Sequence, residues 1–164
     1  MTPEDEQCRD VYAYFGVPAY FAQCFEKSLC NFLLLHNVLT KGNVTLETVG
    51  PVEKAIHKKT LGQLLREVKP VVQFDDPAGE ALVDKALDRR NFLLHHYFWE
   101  RAVEFQSANG RVKLLAELSD LRVLFQRADE LAKALARKAG KAVGVSDELL
   151  QAELAEMNRE AEAL

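Results

Sequence analysis

Apolar residues recur at helical spacing along most of this chain and almost nowhere at a spacing of two. Thr2-Pro3-Glu4-Asp5 reads as a helix start: a capping hydroxyl, a proline at the first helical position and early acids. This helix is predicted to stop near Gly16. Pro18 opens a longer one with Phe21, Phe25, Leu29, Phe32, Leu33 and His36 on its stripe, running to about Thr40 and closed by Lys41-Gly42-Asn43. Pro51 is read as opening a helical turn that leads into Leu61-Gly62-Gln63-Leu64-Leu65-Arg66-Glu67-Val68, which Pro70 ends. Asp75-Asp76-Pro77 starts the next helix, with Asp76 as cap, and an unbroken pattern from about Ala78 to Gln106 carries the stripe Val83, Leu87, Leu94, Phe98, Phe105.

Ser107-Ala108-Asn109-Gly110 breaks that helix. Another begins at Arg111 with Leu114, Leu118, Leu121, Phe125, Ala128 and Leu135 in line. Gly140 and Gly144 punctuate it, and Ser146-Asp147-Glu148 caps a short, charge-rich last helix. The alternation in Asn43–Val49 is too short for a strand. The expectation is an all-α antiparallel helical bundle over residues 1–140, with a C-terminal helical extension, 141–164, packed on the same domain.

One helix breaks its own pattern. Arg90, Asn91, His95 and His96 interrupt the apolar run of residues 78–106, and polar groups facing a core need partners or they cost stability. With Asn91 taken as zero on a helical wheel, Leu87, Leu94 and Phe98 lie within about 60° of it. Asn91 is therefore expected in the middle of the apolar face, with His95 about 40° to one side and Arg90 about 100° to the other. One helix cannot easily aim Arg90 and His95 at one phosphate, but two copies facing each other across a two-fold axis can. Arg holds phosphate at any pH and His moves protons near neutrality, a set that suffices for cleaving RNA without a metal.

Composition narrows the field. At 164 residues, 48% hydrophobic and 28% charged, the chain has the size and balance of one globular domain. A net charge of −4 removes bulk electrostatic grip on nucleic acid, so an RNA-acting protein would need a local basic patch. Cys8, Cys24 and Cys30 are odd in number and lack metal-ligand spacing, and are read as small core residues. The acidic N-terminus does not read as a signal peptide, and Phe32-Leu33-Leu34-Leu35 is far too short to span a bilayer, so a cytoplasmic location without membrane contact is expected. No cofactor is expected and no metal set is visible.

The arrangement Arg90-Asn91-x-x-x-His95 resembles the signature of the HEPN superfamily, small all-helical domains many of which are RNA-cleaving toxins or defence ribonucleases. His96 matches with one more intervening position. The likeness extends more weakly over residues 18–137, through the helix bearing Gln23 and Glu26 and through Lys58-Lys59-Thr60-Leu61-Gly62-Gln63-Leu64. It implies a metal-independent endoribonuclease acting as a homodimer with a composite site. His95 would exchange a proton with the ribose 2′-hydroxyl or the leaving 5′-oxygen, Arg90 would neutralise the transition state, Asn91 would orient, and the products would be a 2′,3′-cyclic phosphate and a 5′-hydroxyl. His96 would be a second proton carrier, Tyr97, Phe98 and Trp99 could stack on bases, and an antitoxin or nucleotidyltransferase partner is implied.

Blander readings stand beside this one. His36 and His57 have no motif partners and are read as structural. Arg89-Arg90 is ordinarily a solvated face or an ion pair with Asp84, Asp88 or Glu100, and Tyr97-Phe98-Trp99 is ordinarily core or interface. Lys54, Lys58 and Lys59 form a basic cluster that is ordinarily solvated. The competing functional class is a non-catalytic helical module that binds a protein, a nucleotide or a nucleic acid.

Overall fold

The computed structural model describes residues 2–41, 46–72 and 77–163, and among these every regular element is a helix. They are α1 (Pro3–Lys41), α2 (Leu46–His57), α3 (Leu61–Val68), α4 (Pro77–His95), α5 (Tyr97–Glu100), α6 (Ala102–Phe105), α7 (Ala108–Ala142) and α8 (Asp147–Glu162). The all-α bundle is as expected.

Caps explain several starts. The Thr2 hydroxyl accepts from the Asp5 amide at 3.2 Å while the Asp5 carboxylate accepts from the Thr2 amide at 2.8 Å. Thr60 and Gln63 close the same reciprocal box on α3. Ser146 caps α8 through the Leu149 amide. The closure by Gly42-Asn43, the start of the alternation at 43–45 and the Asp75-Asp76 cap fall outside the described residues, whereas Pro77 is the first residue of α4.

Several boundaries differ from expectation, and Pro51, expected to open a helical turn, lies inside α2. Gly16 and Pro18 do not end a helix, because α1 runs unbroken for 39 residues. Pro18 is buried, and the faces on either side of it, Val11, Ala22, Phe25, Leu29 and Leu33, form the main core with Leu114, Leu118, Leu121, Phe125 and Ala128 of α7. That burial offsets the hydrogen bond a proline removes. The break at 107–110 is also shorter than expected. Gln106 and Ser107 make the turn, and Ser107 is the N-cap of α7, its hydroxyl accepting from the Gly110 amide at 3.0 Å.

The chain from α4 to α6 runs antiparallel to both long helices, with Arg90 beside Glu26 and Phe98 beside Tyr12 and Phe15 of α1. It follows that α1 and α7 are parallel: Gln7 meets Arg111, Ser28 meets Asp129 and Leu35 lies against Gly140. In the extension after residue 140, Val145 lies against Gly140 and Asp147 pairs with Lys141; every residue of α8 is exposed.

Candidate functional site at the end of α4

Spacing along α4 decides which residues face the core. Val83, Ala86 and Leu93 are buried, and Tyr97 continues their line beyond the end of the helix. On the helical wheel Arg90 lies about 40° from Ala86 and about 60° from Leu93, so Arg90 belongs to this inward face. Asn91 lies about 140° and 160° from the same two residues. This corrects the sequence expectation: Asn91 is exposed, and the apolar face is turned toward Arg90. The sequence stripe overlooked Ala86 and Leu93 because small and large apolar residues compete for one wheel. Here the small Ala86 lets α4 approach its neighbours.

Arg90 is partly buried and finds its partners at once. Its guanidinium donates to the Glu26 carboxylate of α1 at 3.1 Å and to the Asn91 side-chain oxygen at 3.3 Å. Glu26, singled out only through the family likeness, is thus the carboxylate that fixes the motif arginine. Asn91 shares the guanidinium from the solvent side.

His95 and His96 sit where α4 ends. The His96 amide still bonds the Phe92 carbonyl at 2.9 Å, but its backbone turns to φ −130°, ψ −20°. Both imidazoles are exposed, with ring centroids 6.3 Å apart and nearly perpendicular. His95 lies about 140° around the helix from Arg90, so one chain does not aim the two together.

The unbroken helix expected over 78–106 is therefore three pieces. Tyr97 accounts for the first break. It is 1% exposed, meets Phe15, Phe92 and Phe98, and donates its hydroxyl to the Leu114 carbonyl at 3.3 Å. Burial pushes its phenol well above the ordinary range, so it stays a neutral donor. Arg101 accounts for the second. Its backbone, at φ −105°, ψ 13°, bends so that the guanidinium grips Glu117 of α7 through two bonds of 2.8 and 2.9 Å. Arg89 reaches the same carboxylate at 3.2 Å, and both guanidiniums lie over the Phe92 ring, at 4.7 and 5.1 Å. Arg101, and then Arg89, hold the Glu117 carboxyl below its usual range against the opposing effect of burial. Of the sequence candidates for pairing with Arg89 and Arg90 (Asp84, Asp88, Glu100), none is used; Lys69 takes Asp84 at 2.6 Å.

Tyr97 and Phe98 are packed inside, whereas Trp99 is 87% exposed and Val103, one turn on, is 84% exposed. His36 stacks on Phe32, and His57 lies 3.4 Å from Lys27 Nζ. Lys59 is paired with Glu67, and Lys54 and Lys58 are exposed. All three cysteines are free thiols, with Cys30 buried. Among the described residues no group of three or more His, Cys, Asp or Glu could hold a metal ion, and no helix is long and apolar enough to cross a membrane.

Two polar anchors escaped sequence reading. Arg111, 4% exposed, donates to Gln7 at 3.0 Å and to the Phe105 carbonyl at 2.9 Å. Asp129, 2% exposed, accepts from Ser28 at 2.6 Å and pairs with Lys133 at 2.7 Å. Their signal was a charge one helical turn from Leu114 and from Phe125, inside an otherwise apolar stripe.

No family model, curated protein or solved structure matches the chain. The described residues define an all-helical bundle.

Proposed function

We propose that this chain is a metal-independent endoribonuclease of HEPN type, with a composite site completed across a two-fold homodimer. The observation that carries the reading is the end of α4. Two adjacent imidazoles stand in solvent at a helix break, on the same short segment as an arginine fixed by Glu26. The angle between Arg90 and His95 supports two copies, so that Arg90 of one chain meets a phosphate held near His95 of the other. The exposed Trp99 and Val103 give that end an apolar surface for a second copy or an unpaired base. Arg90 carries the charge, His95 and His96 carry protons, and Asn91 positions the guanidinium through its 3.3 Å contact. The work of such an enzyme is inside the cell, where a toxin or defence role would bring an antitoxin or nucleotidyltransferase partner.

The reading is tested with purified protein and a single-stranded RNA in EDTA. Cleavage should persist in the chelator, leave a 2′,3′-cyclic phosphate, and vanish when the scissile nucleotide is 2′-deoxy. It should also be lost in His95→Ala. Equal cutting by His95→Ala moves the role to His96. Loss of cleavage in EDTA, or equal cutting of the deoxy substrate, overturns the proposal.

A second reading has its own observation. The Arg90–Glu26 pair ties α4 to α1, which is a structural use of the motif arginine. A non-catalytic helical binding module needs no more than that. In this case the wild type cuts no RNA, while Arg90→Ala lowers the melting temperature.

A further inference from the structure

α8 is a helix without a core. It spans 16 residues, and an isolated helix of that length is marginal in water without tertiary packing. Leu150, Leu154, Met157 and Ala161 follow one another at spacings of four, three and four, the seam of a helix that packs on another helix. Leu154 is nevertheless 52% exposed and Met157 62% exposed. The flanks of this seam are acidic: α8 has six carboxylates and one arginine.

A surface of opposite chemistry lies on the same molecule. Between α1 and α7 runs an open groove of about 350 Å³. Leu34, Leu35, Ala136 and Val145 line it, and Lys133, Arg137 and Lys141 stand at its edge. Of the three cations there, Lys133 also pairs with Asp129 and Lys141 with Asp147, each just outside residues 131–145, a stretch with no acid of its own. The chain's own α8 meets it through Asp147 and Leu150, at its first turn. Only residues 143–146 connect α7 to α8, and the turn is set by Gly144 at φ +84° and by the Val145 amide bonded to the Gly140 carbonyl at 2.9 Å. Asp147 and Leu150 reach the groove wall, and Leu154 and Met157 are carried past it into solvent.

We infer that the α1–α7 groove receives α8 of a second copy of this chain. Leu154 and Met157 fill the apolar floor, and Glu153, Glu156 and Glu160 face Lys133, Arg137 and Lys141. Two α8 helices alone would set six carboxylates against six, so the basic groove and not the partner's α8 is the seat. Each groove takes the other chain's helix, and the exchange closes on itself as a two-fold contact. This dimer uses α8 and α7, and it stands whether or not the end of α4 cuts RNA.

The test uses the full chain. Uniformly ¹⁵N-labelled and unlabelled protein are mixed, joined with a carbodiimide, and digested for mass spectrometry. Heavy–light peptide pairs should link Glu153, Glu156 or Glu160 to Lys133 or Lys141. Leu154→Glu with Met157→Glu should cut the yield of these heavy–light links by more than about tenfold. Since no residue of α8 is buried in the single chain, the thermal unfolding of the rest of the bundle should stay almost unchanged. Glu153→Lys with Glu156→Lys should do the same, and adding Arg137→Glu with Lys141→Glu should restore the dimer. Trp99→Glu, which strikes the end of α4, should leave these cross-links in place. Links only between peptides of one isotope would place α8 on its own groove and overturn the inference. So would a monomer at tens of micromolar, or heavy–light links indifferent to Leu154→Glu/Met157→Glu.

Discussion

α1 runs straight through Gly16 and Pro18, whereas the stretch from α4 to α6 breaks at His96 and Arg101 with no glycine or proline between Ala81 and Gln106. The difference lies in what each segment packs against. α1 is pressed for most of its length along the parallel α7, and an interrupted helix would lose Val11, Phe25 and Leu29 from one continuous core. The segment from α4 to α6 is held at points: Arg90 by Glu26, Tyr97 by the Leu114 carbonyl, Arg101 by Glu117. Point anchors at different heights cannot all be met by one straight helix, so the backbone bends between them. The bend falls at His96, and both imidazoles at the end of α4 stand in solvent.

The largest expected effect comes from a glycine that is there for close approach. A Cβ on Gly110 would stand 1.9 Å from the Glu104 carbonyl oxygen, where α6 meets the start of α7. Gly110→Ala should therefore destabilise by about 3 kcal/mol or more, because backbone has to move. Urea unfolding would measure it. A loss near zero would mean that α6 is not seated as described.

Glu117→Gln should be next. It removes the charge that Arg101 and Arg89 share, and should cost about 1–2 kcal/mol at neutral pH. The Glu117 carboxyl is held below its ordinary range, so its contribution is present above the unfolded carboxylate value and is lost as pH falls through the lower folded one. The stability gap between wild type and Glu117→Gln should accordingly be widest near neutrality and close in acid. A gap independent of pH would show that the grip of Arg101 is not electrostatic.

The smallest effect has the opposite sign. Gly16 lies inside α1, is exposed, and has nothing within 4 Å of a Cβ built on it. Gly16→Ala should stabilise by about 0.5–1 kcal/mol. Destabilisation would instead indicate that Gly16 is a true break in α1. The same substitution at Gly16 and Gly110 thus separates glycine as an unneeded interruption from glycine as a requirement.

Much of the fold was legible in the sequence because amphipathic spacing reports burial directly. The stripe Leu114, Leu118, Leu121, Phe125, Ala128 is the buried face of α7, and the caps at Thr2 and Ser146 are where side-chain chemistry put them. What was not legible depended on partners far away in sequence. Pro18 is tolerated because α1 packs along α7, whose Leu118, 100 positions on, lines the same surface groove. Arg101 bends the chain because of Glu117. The rotation of α4 was misread because Asn91 lies among Leu87 and Leu94 on the wheel, while the neighbours that bury α4, and Glu26 above all, select the line through Ala86, Arg90 and Leu93. The motif residues were visible one by one; their division into an inward arginine and outward histidines was not.

That division gives the most direct test of the composite site. Arg90→Ala and His95→Ala proteins are purified, checked for folding, and assayed on single-stranded RNA separately and after mixing under conditions that exchange subunits. If Arg90 of one chain serves His95 of the other, each variant alone is inactive, and the mixture recovers part of the wild-type rate, because each mixed dimer rebuilds one complete site. A mixture as inactive as its parents, with the wild type active and subunit exchange verified, would contradict the shared site, and a wild type that cuts no RNA would contradict the enzymatic reading altogether.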